Sequence, residues 1–210
     1  MLVEPLYALD FTSALRRLCL PALDAPMEAL SIAGEGYVLA IIAIAVAWRA
    51  HRGGRDALRS ALRGLVALAV TGILVVVIKR IVHAPRPLEV LGPRQACVLL
   101  APLRSMSFPS GHSAGVAALA LWASGEPCAR KRWWPWLFAF LCGVSRVYVG
   151  AHWVTDVIGG WLLGLATAAI VCRAWPRPAA ATAGPAPAVA GTARAATAAP
   201  PLVDEVDPCG

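Results

Sequence analysis

Five apolar segments, joined by short polar connections, dominate this 210-residue chain and limit what it can fold into. They lie at about 31–49, 58–82, 110–125, 133–150 and 153–174, and are called segments A to E. A helix needs roughly 20 apolar residues to cross the hydrocarbon core of a bilayer. Several uncharged stretches are shorter than this, and segments B, D and E reach that length only with the polar residues at their ends. The pattern predicts an all-α, polytopic membrane helix bundle.

The two ends of the chain differ from this central part. Residues 5–28 carry several charges, and an amphipathic helix in the membrane interface fits them slightly better than a sixth span. Residues 176–210 are rich in proline and alanine and cannot bury enough surface to order themselves. We therefore expect five to six transmembrane helices, with an N-terminal amphipathic or weakly spanning segment at 1–30, a membrane domain at 31–175 and a disordered tail at 176–210.

The distribution of basic residues predicts how the helices are oriented. The net charge is +7, but the basic residues lie between apolar runs and form no stripe, so we expect no binding to nucleic acid. They concentrate in the A–B connection, in the C–D connection and after segment E, which fall on one side of a five-span bundle. By the positive-inside rule that side is cytoplasmic. The chain is thus predicted to be a multi-pass inner (plasma) membrane protein whose B–C and D–E connections face the periplasm or outside.

The D–E connection contains the sequence "SRVYVGAHWVTD", which holds an isolated carboxylate. Asp156 is the only acidic residue between Glu126 and Asp204, and it follows His152 by four positions. On a helix, residues four apart share one face. A carboxylate there can hold one imidazole nitrogen and leave the other as a nucleophile or base. The alternative is a buried ion pair that only positions segment E.

The start of segment C reads "FPSGHSAGVAALAL", which predicts a capped helix N-terminus. Ser110 is the expected N-cap, and the free N–H groups behind it attract anions. Gly111 lets a ligand approach the backbone closely, and His112 would stand beside a bound anion. The alternative is an ordinary capped membrane helix with an interfacial histidine.

Basic residues complete this face of the predicted bundle. Lys79 and Arg86 follow segment B, and Arg146 closes segment D. Together with a helix N-terminus and two histidines, they predict a site for a multiply charged anion, of which phosphate is the obvious example.

Metal binding is the main chemical alternative for this cluster. His112, His152 and Asp156 could form a three-ligand set, but three surrounding cations would repel a divalent ion. The six cysteines show no paired spacing typical of a metal site or a disulfide framework. We expect no metal and no other cofactor.

Three motifs now stand in order along the chain. They are Lys79-x6-Arg86-Pro87, Pro109-Ser110-Gly111-His112, and Ser145-Arg146-x5-His152-x3-Asp156. This arrangement resembles the three-part signature of the type 2 phosphatidic acid phosphatase family, and every fixed position matches. That family includes lipid phosphate phosphatases, undecaprenyl pyrophosphate phosphatases and vanadium-dependent haloperoxidases. The resemblance covers residues from about 30 to 174. The haloperoxidases are soluble, so the five apolar spans of this chain argue against that activity.

The resemblance implies a role for each matching residue. His152 would attack phosphorus and form a phosphohistidine, Asp156 would orient it, and His112 would protonate the leaving group. The phosphate-binding residues would be Lys79, Arg86, Ser110, Gly111 and Arg146. The implied activity is metal-independent hydrolysis of a lipid-linked phosphate or diphosphate, with undecaprenyl diphosphate, phosphatidic acid and phosphatidylglycerol phosphate as candidate substrates.

Other functions stay open at this point. A lipid phosphotransferase would use the same site with a second lipid as the acceptor. The chain could also be a non-enzymatic anion-binding or transport protein, or a structural membrane protein. A transporter would need polar residues at mid-membrane, whereas those here cluster at one face. The oligomeric state is not indicated.

Glu35 lies away from the three motifs and is left out of the site, and Gly160-x3-Gly164 is interpreted as a helix-packing stripe.

Overall fold

The structure is a computed structural model that describes residues 20–52, 54–91, 106–125 and 133–176. These residues form seven helices and no strand, so the all-α prediction is confirmed for the described part of the chain. In chain order the helices are α1 (Pro21–Ala33), α2 (Gly36–Arg52), α3 (Arg55–Val82), α4 (Pro87–Leu91), α5 (Gly111–Ser124), α6 (Trp134–Tyr148) and α7 (Val154–Ala174). Residues 177–210 of the predicted tail lie outside the described residues.

Helices α2, α3, α5, α6 and α7 correspond to segments A to E. Segment A differs at its start, because residues 31–33 end α1 and the chain then bends by 58° before α2 begins. Gly34 lies at this bend, where a Cβ atom would collide with the Sγ atom of Cys142 in α6. Glycine therefore allows the α1–α2 corner to pack directly against α6. Helix α1 also runs across the predicted boundary between residues 30 and 31.

Two described helices are long and apolar enough to cross a membrane by themselves. These are α3, with 28 residues, and α7, with 21, and the bent pair α1–α2 passes the same test when taken together. Helices α5 and α6 have only 14 and 15 residues, which is short of the roughly 20 that a span needs. The described residues thus contain two or three candidate spans, and the count of five to six stays a prediction.

Large apolar side chains point outward along these helices. Ile73 and Ile81 on α3 are 64% and 73% exposed, and Leu162 and Ile170 on α7 are 63% and 65% exposed. Water-soluble monomers rarely expose so much contiguous apolar surface. Such faces are typical of helices surrounded by hydrocarbon.

Small residues bring α5 and α7 into close contact. A Cβ atom on Gly164 would collide with the carbonyl oxygen of Ala114, and one on Gly160 would reach the carbonyl oxygen of Ser110 at 2.5 Å. Backbone atoms cannot rotate away as side chains do, so both positions require glycine. The packing role expected for Gly160-x3-Gly164 is confirmed, and its effect is to hold the start of α5 against the first turns of α7.

The two ends of the bundle contain different groups. At one end, Trp122 Nε1 donates to Ser60 O at 2.8 Å and Arg63 Nη1 donates to Trp175 O at 3.3 Å. These bonds join the start of α3 to the ends of α5 and α7. At the opposite end, the last turn of α3 meets the starts of α5 and α7, so the described part of the B–C connection lies beside the D–E connection.

Candidate active site

Asp156 is buried in the first turn of α7 and connects three parts of the chain. Its Oδ2 atom accepts a hydrogen bond from the backbone N–H of Trp153 at 2.9 Å and another from Ser107 Oγ. The Trp153 bond satisfies an N–H at the helix start, where a negative charge is also favourable. The carbonyl oxygen of Asp156 accepts from the N–H of Ser110 at 3.0 Å. This one residue therefore fixes the start of α7 relative to the start of α5.

His152 lies in the short loop between α6 and α7 and is 2% exposed. The N–H groups of Ala151 and His152 both donate to the carbonyl oxygen of Arg146, at 3.1 and 3.2 Å, which holds the loop against the end of α6. The Nδ1 atom of His152 lies 3.4 Å from Asp156 Oδ2. The sequence spacing of four predicts this pair, and the contact leaves Nε2 as the nitrogen on the far side of the ring.

Electrostatics favour the neutral form of this histidine. Burial lowers the pKa of His152 well below its usual 6.5, and the positive charges of Arg86, Arg146 and Lys79 lower it further, while a contact with the backbone of Ser107 acts in the opposite direction. The imidazole is therefore neutral at physiological pH and keeps a nitrogen lone pair. A neutral imidazole in a positively charged surrounding is suited to attack an anion.

Two of the three predicted cations come from the chain around α3 and α4. Arg86 is 4% exposed, and its Nη1 atom donates to Ala151 O at 2.8 Å. The Nζ atom of Lys79 donates to Met106 O at 2.8 Å. Both side chains are thus held against the two connections that contain His152 and the start of α5.

Arg146 supplies the third cation from the last turn of α6. It is 3% exposed, and its Nη1 atom donates to Ser31 Oγ on α1. Its Nε atom is buried and has no hydrogen-bond partner among the described residues. An unsatisfied buried donor on a cation costs free energy, and a bound anion would remove that cost.

The start of α5 has the capped geometry predicted for it. Ser110 is the N-cap, and its Oγ atom accepts from the N–H of Ser113 at 3.4 Å and from Ser113 Oγ at 3.0 Å. A Cβ atom on Gly111 would meet only Val75 Cγ1, at 3.4 Å. Protein packing alone does not demand glycine at 111, which agrees with a backbone that is left open to a ligand.

His112 contacts a carboxylate that the sequence analysis left out of the site. Its Nε2 atom lies 3.1 Å from Glu35 Oε1. The contact is an ion-pair distance without hydrogen-bond alignment, since Nε2 has no hydrogen-bond partner in the described part of the chain. The prediction that Glu35 lies away from the three motifs is wrong, because the bend between α1 and α2 brings this residue to the start of α5.

Two serines of the site also had no signal in the sequence. Ser107 is bonded to Asp156, and Ser31 is bonded to Arg146. Both are at most 2% exposed. Nothing in their local sequence separates them from other serines, and only a buried charged neighbour shows their role.

All eight predicted site residues lie at the end of the bundle where the last turn of α3 meets the starts of α5 and α7. The positive charges of Arg146, Lys79 and Arg86 all act on His112, which places His112 in the same electrostatic cluster. The alternative metal set of His112, His152 and Asp156 is not assembled: within the described ranges, no three histidine, cysteine or carboxylate side chains are close enough to hold a metal ion.

Comparison with known protein sequences identifies related proteins. Undecaprenyl-diphosphatase of Sulfolobus acidocaldarius is 35% identical over 109 residues, which cover 48% of this chain and 48% of that protein. Phosphatidylglycerophosphatase B of Bacillus subtilis is 41% identical over 71 residues, which cover 29% of this chain and 35% of that protein. The chain thus spans about half, or less, of the length of these relatives.

Comparison with solved structures shows the same relationship over a longer range. The crystal structure of Aquifex aeolicus LpxE has a TM-score of 0.66 and 28% identity, and the match covers 78% of this chain and 93% of that one. A transmembrane PAP2 type phosphatidylglycerolphosphate phosphatase from Bacillus subtilis has a TM-score of 0.62 and 27% identity, covering 77% and 80%. The family model of the PAP2 superfamily matches residues 60–179, which include every predicted site residue from Lys79 to Asp156. Because this match covers more than half of the chain, the protein belongs to the PAP2 superfamily.

Proposed function

We propose that the protein is a membrane-embedded phosphatase that hydrolyses a lipid-linked phosphate or diphosphate through a phosphohistidine intermediate. The observation that carries the proposal is the environment of His152, which is buried, neutral, paired with Asp156 and surrounded by three cations. The names of the undecaprenyl-diphosphatase and of the two phosphatidylglycerol phosphate phosphatases support a lipid phosphate as the substrate.

In the first chemical step, Nε2 of His152 attacks phosphorus. Asp156 accepts a hydrogen bond from the Nδ1–H group, which keeps its proton. The bond between phosphorus and the leaving oxygen breaks, and that oxygen takes a proton from His112. Protonation matters because an alkoxide is a poor leaving group. Lys79, Arg86 and Arg146, with the hydroxyl group of Ser110 and the N–H group of Gly111, hold the phosphoryl oxygens and stabilise their charge in the transition state.

In the second step, water attacks the phosphohistidine and gives a proton to His112. The phosphorus–nitrogen bond breaks, its electron pair returns to His152, and inorganic phosphate leaves. Both histidines end in their starting protonation states, so the cycle is balanced. A lipid hydroxyl in place of water would make the same site a phosphotransferase, which a phosphorylated second lipid would reveal.

A groove beside the site supports a substrate with a hydrocarbon chain. It has a volume of about 380 Å³ between α2, α3 and α5, and Gly111 and His112 form part of its wall. Most of the remaining wall is apolar, including Leu39, Leu68 and Val75. A lipid could keep its chain in this groove while its phosphate lies at the start of α5.

The proposed placement in the membrane follows the sequence analysis. The protein has five to six transmembrane helices in the inner (plasma) membrane, with residues 31–175 as the phosphatase domain and residues 1–30 and 176–210 on either side of it. The site faces the periplasm or outside, because the basic A–B connection lies at the other end of the bundle and should be cytoplasmic. A green fluorescent protein fused after Trp175 should therefore be fluorescent in the cytoplasm. An outward location of that fusion would overturn the proposed orientation.

The proposed activity can be measured with purified protein and a panel of lipid phosphates. We expect phosphate release from at least one of phosphatidic acid, phosphatidylglycerol phosphate and undecaprenyl diphosphate. The value of kcat/KM should be at least tenfold higher for a long-chain substrate than for its short-chain analogue, since each buried CH₂ contributes about 0.8 kcal/mol. Absence of phosphate release from every member of the panel would overturn the proposal.

A variant at Gly72 tests whether the groove holds the lipid chain. Gly72 lines the groove, and a side chain added there has open space, so Gly72→Phe should fill the groove without disturbing the fold. It should remove most of the long-chain preference. The neighbouring Ile73→Phe is the matched control, because Ile73 is 64% exposed and does not line the groove. An unchanged preference in Gly72→Phe would place the chain elsewhere.

A further inference from the structure

The contact between Glu35 and His112 joins the site to a part of the chain outside the family match. The match to the PAP2 superfamily begins at residue 60, whereas Glu35 lies between α1 and α2. Its Oε1 atom is 3.1 Å from His112 Nε2, and its side chain is 38% exposed. Ser31, one turn earlier, is bonded to Arg146. The end of α1 therefore contacts two of the predicted site residues.

The charges around His112 explain what a carboxylate could do there. The positive charges of Lys79, Arg86 and Arg146 act on His112. A protonated His112 would add a positive charge to this cluster, which is unfavourable in partly buried surroundings. The other carboxylate of the site, Asp156, has its Oδ2 atom engaged by Trp153, Ser107 and His152. Glu35 is the carboxylate that contacts His112 among the described residues.

We propose that Glu35 is a positioning residue whose negative charge keeps the proton on His112 until the leaving group needs it. The inference rests on the proposed phosphatase function. The effect is electrostatic, because the two groups are at ion-pair distance without hydrogen-bond alignment. Glu35 exchanges no atoms in either step. The proton passes from His112 to the leaving oxygen in the first step, and the attacking water returns one in the second.

Dependence on the leaving group distinguishes this role from a structural one. Dodecyl phosphate releases an alkoxide that needs protonation, whereas p-nitrophenyl phosphate releases a phenolate that leaves without it. General acid catalysis typically contributes about 10²–10⁴-fold, and Glu35 supports part of it. For Glu35→Gln we expect kcat/KM to fall about 10- to 100-fold on dodecyl phosphate and less than about threefold on p-nitrophenyl phosphate.

Two further variants complete the test. Glu35→Asp keeps the charge and should recover part of the activity on dodecyl phosphate. Glu28→Gln removes the same charge from an exposed position on α1 and should leave both substrates within about twofold of the wild type, as is usual for surface substitutions.

The outcomes separate this inference from the function on which it rests. An equal loss on both substrates in Glu35→Gln, or no loss on either, would overturn the role of Glu35 while the phosphatase stands. The role of Glu35 is also overturned if Glu35→Asp is as impaired as Glu35→Gln on dodecyl phosphate. If the wild-type protein releases phosphate from no lipid phosphate at all, both proposals fail.

Discussion

Replacing His152 with alanine should abolish phosphate release, lowering kcat by at least about 10⁴-fold, as expected when a covalent nucleophile is removed. The structure gives the physical reason. His152 is buried and neutral among three cations, and its pairing with Asp156 directs Nε2 away from the carboxylate. Water is a weaker nucleophile and has no comparable partner to orient it. Binding of substrate should persist, because the phosphate-binding cations are retained.

The covalent intermediate provides a direct measurement. Wild-type protein mixed briefly with a ³²P-labelled lipid phosphate and quenched in alkali should carry a label that acid removes, as expected for a phosphorus–nitrogen bond. His152→Ala and the larger His152→Gln should carry none. The matched control is His83→Asn, because His83 is exposed and has a left-handed backbone conformation (φ 50°) that asparagine tolerates. Phosphate release by His152→Ala at more than about one per cent of the wild-type rate would exclude covalent catalysis by this residue, since a nucleophile normally accounts for far more.

Local patterns in the sequence predict much of this site because they have short-range physical causes. The spacing of His152 and Asp156 places them on one helix face, and Ser110 before a run of small residues predicts the cap of α5. The predicted alternation of spans then places the B–C and D–E connections at one end of the bundle. The structure agrees: Arg86 is bonded to Ala151, and Ser110 is bonded to the backbone of Asp156.

The remaining site residues depend on tertiary geometry that no local pattern encodes. Glu35 reaches His112 only because the chain bends by 58° between α1 and α2. Gly34 permits that bend to pack against Cys142, but a single glycine in an apolar sequence does not predict which surface it will meet. Ser107 acquires its role only through a buried carboxylate that lies on another helix. Such contacts become visible once helix packing is known.

Removal of the charge of Asp156 should have the second largest effect on catalysis. For Asp156→Asn we expect kcat to fall by about 10³–10⁴-fold, as when the carboxylate behind a catalytic histidine is replaced by an amide. In the proposed mechanism the imidazole of His152 becomes positively charged as its nitrogen bonds to phosphorus, and Asp156, whose Oδ2 atom lies 3.4 Å from Nδ1, would stabilise that charge. Asparagine keeps the shape, and its carbonyl oxygen can accept the hydrogen bonds that Oδ2 now receives, so the substitution removes mainly the negative charge. The rate of phosphohistidine formation, measured by rapid quench, should fall as much as kcat.

Ser107→Ala separates this catalytic effect from the structural part that Asp156 also plays. Ser107 donates to the same oxygen of Asp156 but carries no charge, so its loss removes one hydrogen bond, with a net contribution of about 0.5–1.5 kcal/mol or up to about 3 for a charged acceptor. We expect a loss of kcat of no more than about 150-fold in Ser107→Ala, in keeping with that range. Both variants should lose some thermal stability in detergent, because both disturb a buried hydrogen-bonded group. If stability alone governed activity, Asp156→Asn would fall on the line of kcat against unfolding midpoint that the wild type and Ser107→Ala define. Placement of Asp156→Asn far below that line would show that the charge acts in the chemical step, and placement on it would leave Asp156 with a purely structural role.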